Sequence, residues 1–172
     1  MSKLVGTKPY QTPRNADLGT LAYMNHKTAY FHVTATTQTG AGGVAGDQTF
    51  VWNSIKDDNL GGFDTTTGIY TAQESGIYLF TYTMTPSSAS KSARYFRARL
   101  NRVRNGSTVT LYNPHQTISD GLSDDDYNSL SATVIENVVV GDQFYISYGS
   151  SIDASGYNFY VDMNWFSGVK LI

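Results

Sequence analysis

The chain contains no cysteine, only 4 prolines, and charged side chains at just 15% of its 172 positions. Without cysteine there is no disulfide, no thiol nucleophile and no thiolate zinc site. So few prolines argue against a proline-rich spacer. Acidic and basic groups nearly cancel, leaving a formal net charge of −2 and no bulk attraction to nucleic acid or an anionic membrane. No apolar run approaches the length of a membrane span, and residues 1–10 lack the apolar core of a secretory leader. The expectation is synthesis in a cytoplasm, with any exterior location reached by another route such as particle assembly.

Glutamate is scarce too, with Glu74 and Glu136 alone. Glycoside cleavage uses two carboxylates at a fixed separation, and nothing marks such a pair among the aspartates. His26, His32 and His115 lie beside no Gly-x-Ser-x-Gly elbow and in no His-Glu-x-x-His pair. The expectation is a protein that is not an enzyme and holds no cofactor or metal.

Aromatic and β-branched residues dominate what remains. Tyrosine occurs 13 times and phenylalanine 8 times, types that fit the half-buried surface of a strand. The 16 glycines supply turns. Alternating runs cover 30–35, 48–55, 68–71, 76–85, 94–103, 107–112, 129–140, 143–149 and 157–172, separated by Gly, Asn, Asp and Ser clusters. Short, closely spaced strands of this kind predict an all-β, antiparallel sandwich or barrel within one domain. Asn105-Gly106 between two such runs predicts a type I′ hairpin. In the run 76–85, Tyr78 and Phe80 share one face, assigned to the core. No segment makes an amphipathic helix of about ten residues or more.

Three features invite a chemical reading. The glycine-rich stretch 40–45 formally matches a dinucleotide fingerprint, but a β-type run follows where the motif requires a helix, so an inter-strand loop is the better reading. Five of the six arginines fall within 94–104, with Arg97 and Arg99 on the face opposite Phe96, Ala98 and Leu100. A solubilising outer face, with carboxylate partners across the sheet, is the simpler account. The sharper one makes Arg97 and Arg99 a surface-binding patch for an anionic glycan or an acidic neighbouring subunit. Asp124, Asp125 and Asp126, with Asp120 nearby, form an acidic loop whose spacing is not that of an EF-hand, and a solvated loop is favoured over a cation site.

Residues 1–28 read as an arm separate from a head at 29–172. The arm carries Lys3, Lys8, Arg14 and two prolines, and shows no apolar periodicity. Tyr10, Leu18, Leu21, Tyr23 and Met24 are more apolar than a solvated tail needs, and the segment is too short for a core of its own. These five are the candidate anchoring residues of an arm that orders on a partner.

Four segments in register carry a family resemblance. They are Gly62-Phe63-Asp64 through Gly68-Ile69-Tyr70 leading into Gly76-Ile77-Tyr78-Leu79-Phe80, Leu100-Asn101 with Asn105-Gly106, Gly141-Asp142-Gln143-Phe144, and Phe166-Ser167-Gly168 with Leu171. Together they resemble the globular head of complement C1q and its tumour-necrosis-factor-like relatives. That likeness implies a jelly roll of about ten strands, assembled as a homotrimer around a threefold axis. No Gly-x-y collagen stalk is present, so trimerisation would come from the head. The content of Tyr and Phe also exceeds what one sandwich core is expected to hide, which favours a closed threefold interface.

Residues 5–24, from Val5-Gly6-Thr7-Lys8-Pro9-Tyr10 to Leu21-Ala22-Tyr23-Met24, resemble segments of structural proteins in marine, cyanobacterium-infecting tailed phages. The resemblance implies a virion surface protein made in the host cytoplasm: a trimeric fibre, knob or decoration head. The arm would bind other virion proteins, and the head would meet a host cell-surface glycan or protein. The rival readings are a purely structural capsid or tail cement protein and a glycan-cleaving depolymerase.

Overall fold

The computed structural model describes residues 28–36, 47–88, 95–117, 129–150, 157–160 and 163–172. The first strands in chain order are β1 (Tyr30–Thr34), β2 (Gln48–Thr49), β3 (Ser54–Asp58), β4 (Phe63–Asp64), β5 (Ile69–Thr71), β6 (Gly76–Met84) and β7 (Pro86–Ser88). There follow β8 (Tyr95–Arg104), β9 (Ser107–Tyr112), β10 (His115–Thr117), β11 (Leu130–Val138), β12 (Gln143–Ser150), β13 (Tyr157–Phe159) and β14 (Trp165–Lys170). One sheet has the order β11-β6-β14-β1-β3, and the other β10-β8-β12-β5-β4 with β2 beside β12 and β9 beside β8. A small β7–β13 ribbon completes the set, and every pairing is antiparallel.

Period-two alternation drives the sandwich. On β6, Tyr78, Phe80, Tyr82 and Met84 are buried, while Ile77, Leu79, Thr81 and Thr83 face outward. Phe31 stacks on Tyr70 at 4.2 Å between ring centroids, Phe80 on Phe144 at 4.3 Å, and Phe166 meets Phe31 edge-on at 4.9 Å. Gly168 stands in mid-strand because a side chain there would strike the rings of Phe31 and Phe80. That crowding gives the Phe-Ser-Gly segment of β14 a packing reason.

The aromatic surplus expected at a subunit interface is not found. Of the twelve largest fully buried side chains, all but Met84 are aromatic, and Tyr30 and Tyr112 are the only exposed large aromatics among the described residues. Edge-to-face contact between the two sheets absorbs the rings. Two of the runs also divide. Residues 48–55 begin in one sheet as β2 and end in the other as β3, with Phe50 and Trp52 buried at the crossing. Residues 157–172 separate into β13 and β14. Asn105 (φ 51°) and Gly106 (φ 75°) form the expected left-handed hairpin turn.

The sandwich has two unlike ends. At the base, Lys170 N–H donates to Ala29 O and Ile77 N–H to Ile172 O, so residue 28 and the carboxyl terminus lie together. The β8–β9 and β11–β12 turns are there too. The far ends of β1, β6, β11, β12 and β14 form the opposite end, the crown.

Candidate functional site

The outward face of the five-stranded sheet is the surface with the least ordinary composition. Pairing registers set its side chains in rows across β1, β14, β6 and β11. Nearest the base stands Tyr30, Val169, Leu79 and Ile135, with Ile77 and Asn137 beyond them. The middle row is His32, Ser167, Thr81 and Thr133, and the third is Thr34, Trp165, Thr83 and Ser131. None of these side chains is a carboxylate, an ammonium or a guanidinium.

Hydroxyl pairs lock the rows. Thr81 and Thr133 share a hydrogen bond of 3.2 Å, Thr83 and Ser131 one of 2.8 Å, and His32 Nδ1 lies 2.5 Å from Ser167 Oγ. Ile135 is 63% exposed although it sits among neighbours on an ordered sheet. The nearest charge is at the β3 edge, where Asp57 stands across from His32 and accepts the Tyr30 hydroxyl at 3.1 Å. Surfaces bathed in water are normally rich in charge, and subunit contacts are depleted of it.

The outer face of the seven-stranded sheet is charged. Arg97 and Arg99 both point outward, as their alternation predicts, and both engage one carboxylate, Asp47. Arg97 Nε donates to Asp47 Oδ1 at 2.8 Å, Arg99 pairs with the other oxygen, and Arg99 Nε donates to Asn113 Oδ1 at 2.9 Å. Beside them Asn101 donates to Ser147 Oγ at 2.8 Å and accepts from Thr110 at 2.9 Å.

Arg102 and Arg104 take the other side of β8 and bind across the sandwich edge. Arg102 pairs with Glu136 on β11. Arg104 meets Asp142 and also donates to Asn137 O at 2.8 Å. Burial alone would raise the Asp142 carboxyl, but the Arg104 and Val139 N–H bonds and the nearby arginine charges outweigh it, and the group is held below its usual range. Asp47, Glu136 and Asp142 were not singled out as site residues, because a partner on another strand leaves no local pattern.

Asp57, His32 and Ser167 stand side by side on β3, β1 and β14. A nucleophile triad needs the carboxylate bonded to the histidine nitrogen remote from the serine. Here Asp57 serves Tyr30, and no bond from it to His32 occurs among the described residues. His115 lies far off on β10, paired in register with Arg97. No group of three histidines or carboxylates suited to a metal ion occurs among the described residues. The arm residues Tyr10, Leu18, Leu21, Tyr23 and Met24, the glycine stretch 40–45 and the acidic loop with Asp120 and Asp124 to Asp126 lie outside the described residues.

Residues 30–170 match the C1q domain. The chain belongs to the C1q domain family. Its fold resembles the globular domain of zebrafish complement 1qA protein at a TM-score of 0.64 and 17% identity, over 85% of this chain and 98% of that one. Murine APRIL at pH 8.0 gives a TM-score of 0.64 at 16% identity, over 84% and 100% of the two chains. The Eiger TNF of S. frugiperda gives 0.61 at 15%, over 84% and 92%. No curated protein sequence matches. The likeness read from the four sequence segments is borne out, and with it the jelly-roll sandwich.

Proposed function

We propose that this C1q domain is a homotrimeric head, held on a phage particle by residues 1–28 and displayed for attachment to the host surface. The uncharged outer face of the five-stranded sheet carries the assembly half of the reading. Its rows of Leu, Ile, Val, Thr and Ser resemble the inside of a contact, and a closed ring of three copies covers each face without leaving an open edge. The position of the termini supports the display half. The arm joins the head at the base, so the crown points away from whatever the arm grips. Its resemblance to segments of marine phage structural proteins supplies the particle. Several weak contacts per trimer, repeated over many trimers, then give firm adhesion through multivalency. The head acts as a binding module and not as an enzyme.

Light scattering on the purified chain at micromolar concentration tests the assembly, with an expected mass three times the 18.9 kDa of one chain. Competition tests the role: purified trimer added to host cells should reduce adsorption of intact particles. Unaltered adsorption, together with particles that break easily when this protein is missing, would favour the cement reading.

A further inference from the structure

His32 stands inside the uncharged face, in the row His32, Ser167, Thr81 and Thr133. Its surroundings can be named strand by strand. β14 contributes Ser167 and Trp165, the latter with its ring 6.2 Å from the imidazole. β1 itself contributes Tyr30 and Thr34, and β3 contributes Asp57, the sole carboxylate on this side. No lysine or arginine projects from the rows. The imidazole turns toward β14, with Nδ1 at 2.5 Å from Ser167 Oγ, while Asp57 is engaged by Tyr30.

In one protomer alone His32 is half-buried, and water remains on its open side. A proton gained there is solvated. Covering the face with another copy removes that water and offers only a further uncharged surface. An imidazolium closed into such a contact lacks an ion-pair partner, whereas a neutral ring needs one donor and one acceptor, and Ser167 already supplies one of them. We infer that His32 makes the head an acid-sensitive assembly, in which protonation of this one side chain loosens the contact between copies. The inference rests on the trimer reading. By linkage, a contact that excludes the proton is weakened wherever the proton binds the separated form. Imidazole takes its proton near pH ~6.5 in water, so the response should fall between about pH 7 and pH 5.

The test is sedimentation velocity on the full chain over a concentration series at pH 8, 7, 6 and 5. Wild type, His32→Asn, His32→Gln and His115→Gln are compared, with circular dichroism confirming that each remains folded. The expected result is a trimer at pH 8 whose half-dissociation concentration rises about tenfold or more by pH 5. The His115→Gln protein should respond equally, and the two His32 variants should stay flat. A monomeric wild type at pH 8 would overturn the trimer reading and this inference with it. A stable trimer with no pH response, or an equal response in both His32 variants, would overturn the assignment to His32 and leave the trimer standing.

Discussion

Arg104 grips Asp142 with two nitrogens, Nε to Oδ1 at 2.8 Å and Nη2 to Oδ2 at 2.5 Å, and thereby ties the β8–β9 hairpin to the turn that opens β12. The Asp142 side chain is 2% exposed and that of Arg104 33%. Breaking a fully buried pair costs about 3–5 kcal/mol. Because Arg104 keeps part of its water, Asp142→Ala should cost less, about 2–3 kcal/mol by urea denaturation at pH 7. The folded-state carboxyl lies below its ordinary range, so its contribution is present above that range and disappears as pH falls through the lowered value. The loss of melting temperature between pH 5 and pH 2 should therefore be smaller in Asp142→Asn than in the wild type.

Phe80 is fully buried, stacked on Phe144 and next to Tyr78, Phe31 and Phe166. Phe80→Ala should destabilise the head by about 3–5 kcal/mol, read from the denaturant midpoint at constant slope. A loss under about 1 kcal/mol would place this ring at the surface of the folded protein in solution.

Thr81 occupies the middle row of the uncharged face and Ile135 its β11 edge. Arginine at either position introduces a charge that three copies would bring into the contact. Thr81→Arg and Ile135→Arg should each give a folded monomer, with far-UV circular dichroism matching that of the wild type and light scattering near one chain mass. Ile135 is the cleaner probe, since its exposure leaves little packing within the protomer to disturb.

Deleting residues 1–28 should leave a soluble trimeric head with a melting temperature close to that of the full chain, yet abolish incorporation into particles. Tagged full-length and truncated proteins are added to particles lacking this protein, and bound protein is compared after sedimentation. Equal binding of the two would move the attachment surface onto the head.

Much of the core could be read from alternation. Tyr78 and Phe80 fall inward as their spacing requires, and Asn105-Gly106 turns where expected. What could not be read depends on strand order. The uncharged face is assembled from β1, β6, β11 and β14, four stretches far apart in the chain, and only their adjacency shows that no charge interrupts the rows. The arginine strand gives the same lesson. Its outward pair was visible, but Asp47 reaches Arg97 and Arg99 from some fifty residues away, and Glu136 meets Arg102 from the opposite sheet. The two divided runs, 48–55 and 157–172, misled because alternation persists while the chain passes from one sheet to another.

The placement of β1 has a mechanical consequence. This strand receives the chain from the arm at the base, and it is hydrogen-bonded on both flanks, to β14 and to β3. Tension entering through residue 28 while the crown is held acts along the strand axis. It loads the five register pairs with β14 in shear, together with those to β3, instead of peeling them open one after another. A head tethered this way yields only when many bonds fail at once, a fitting property for a fixture dragged by flow.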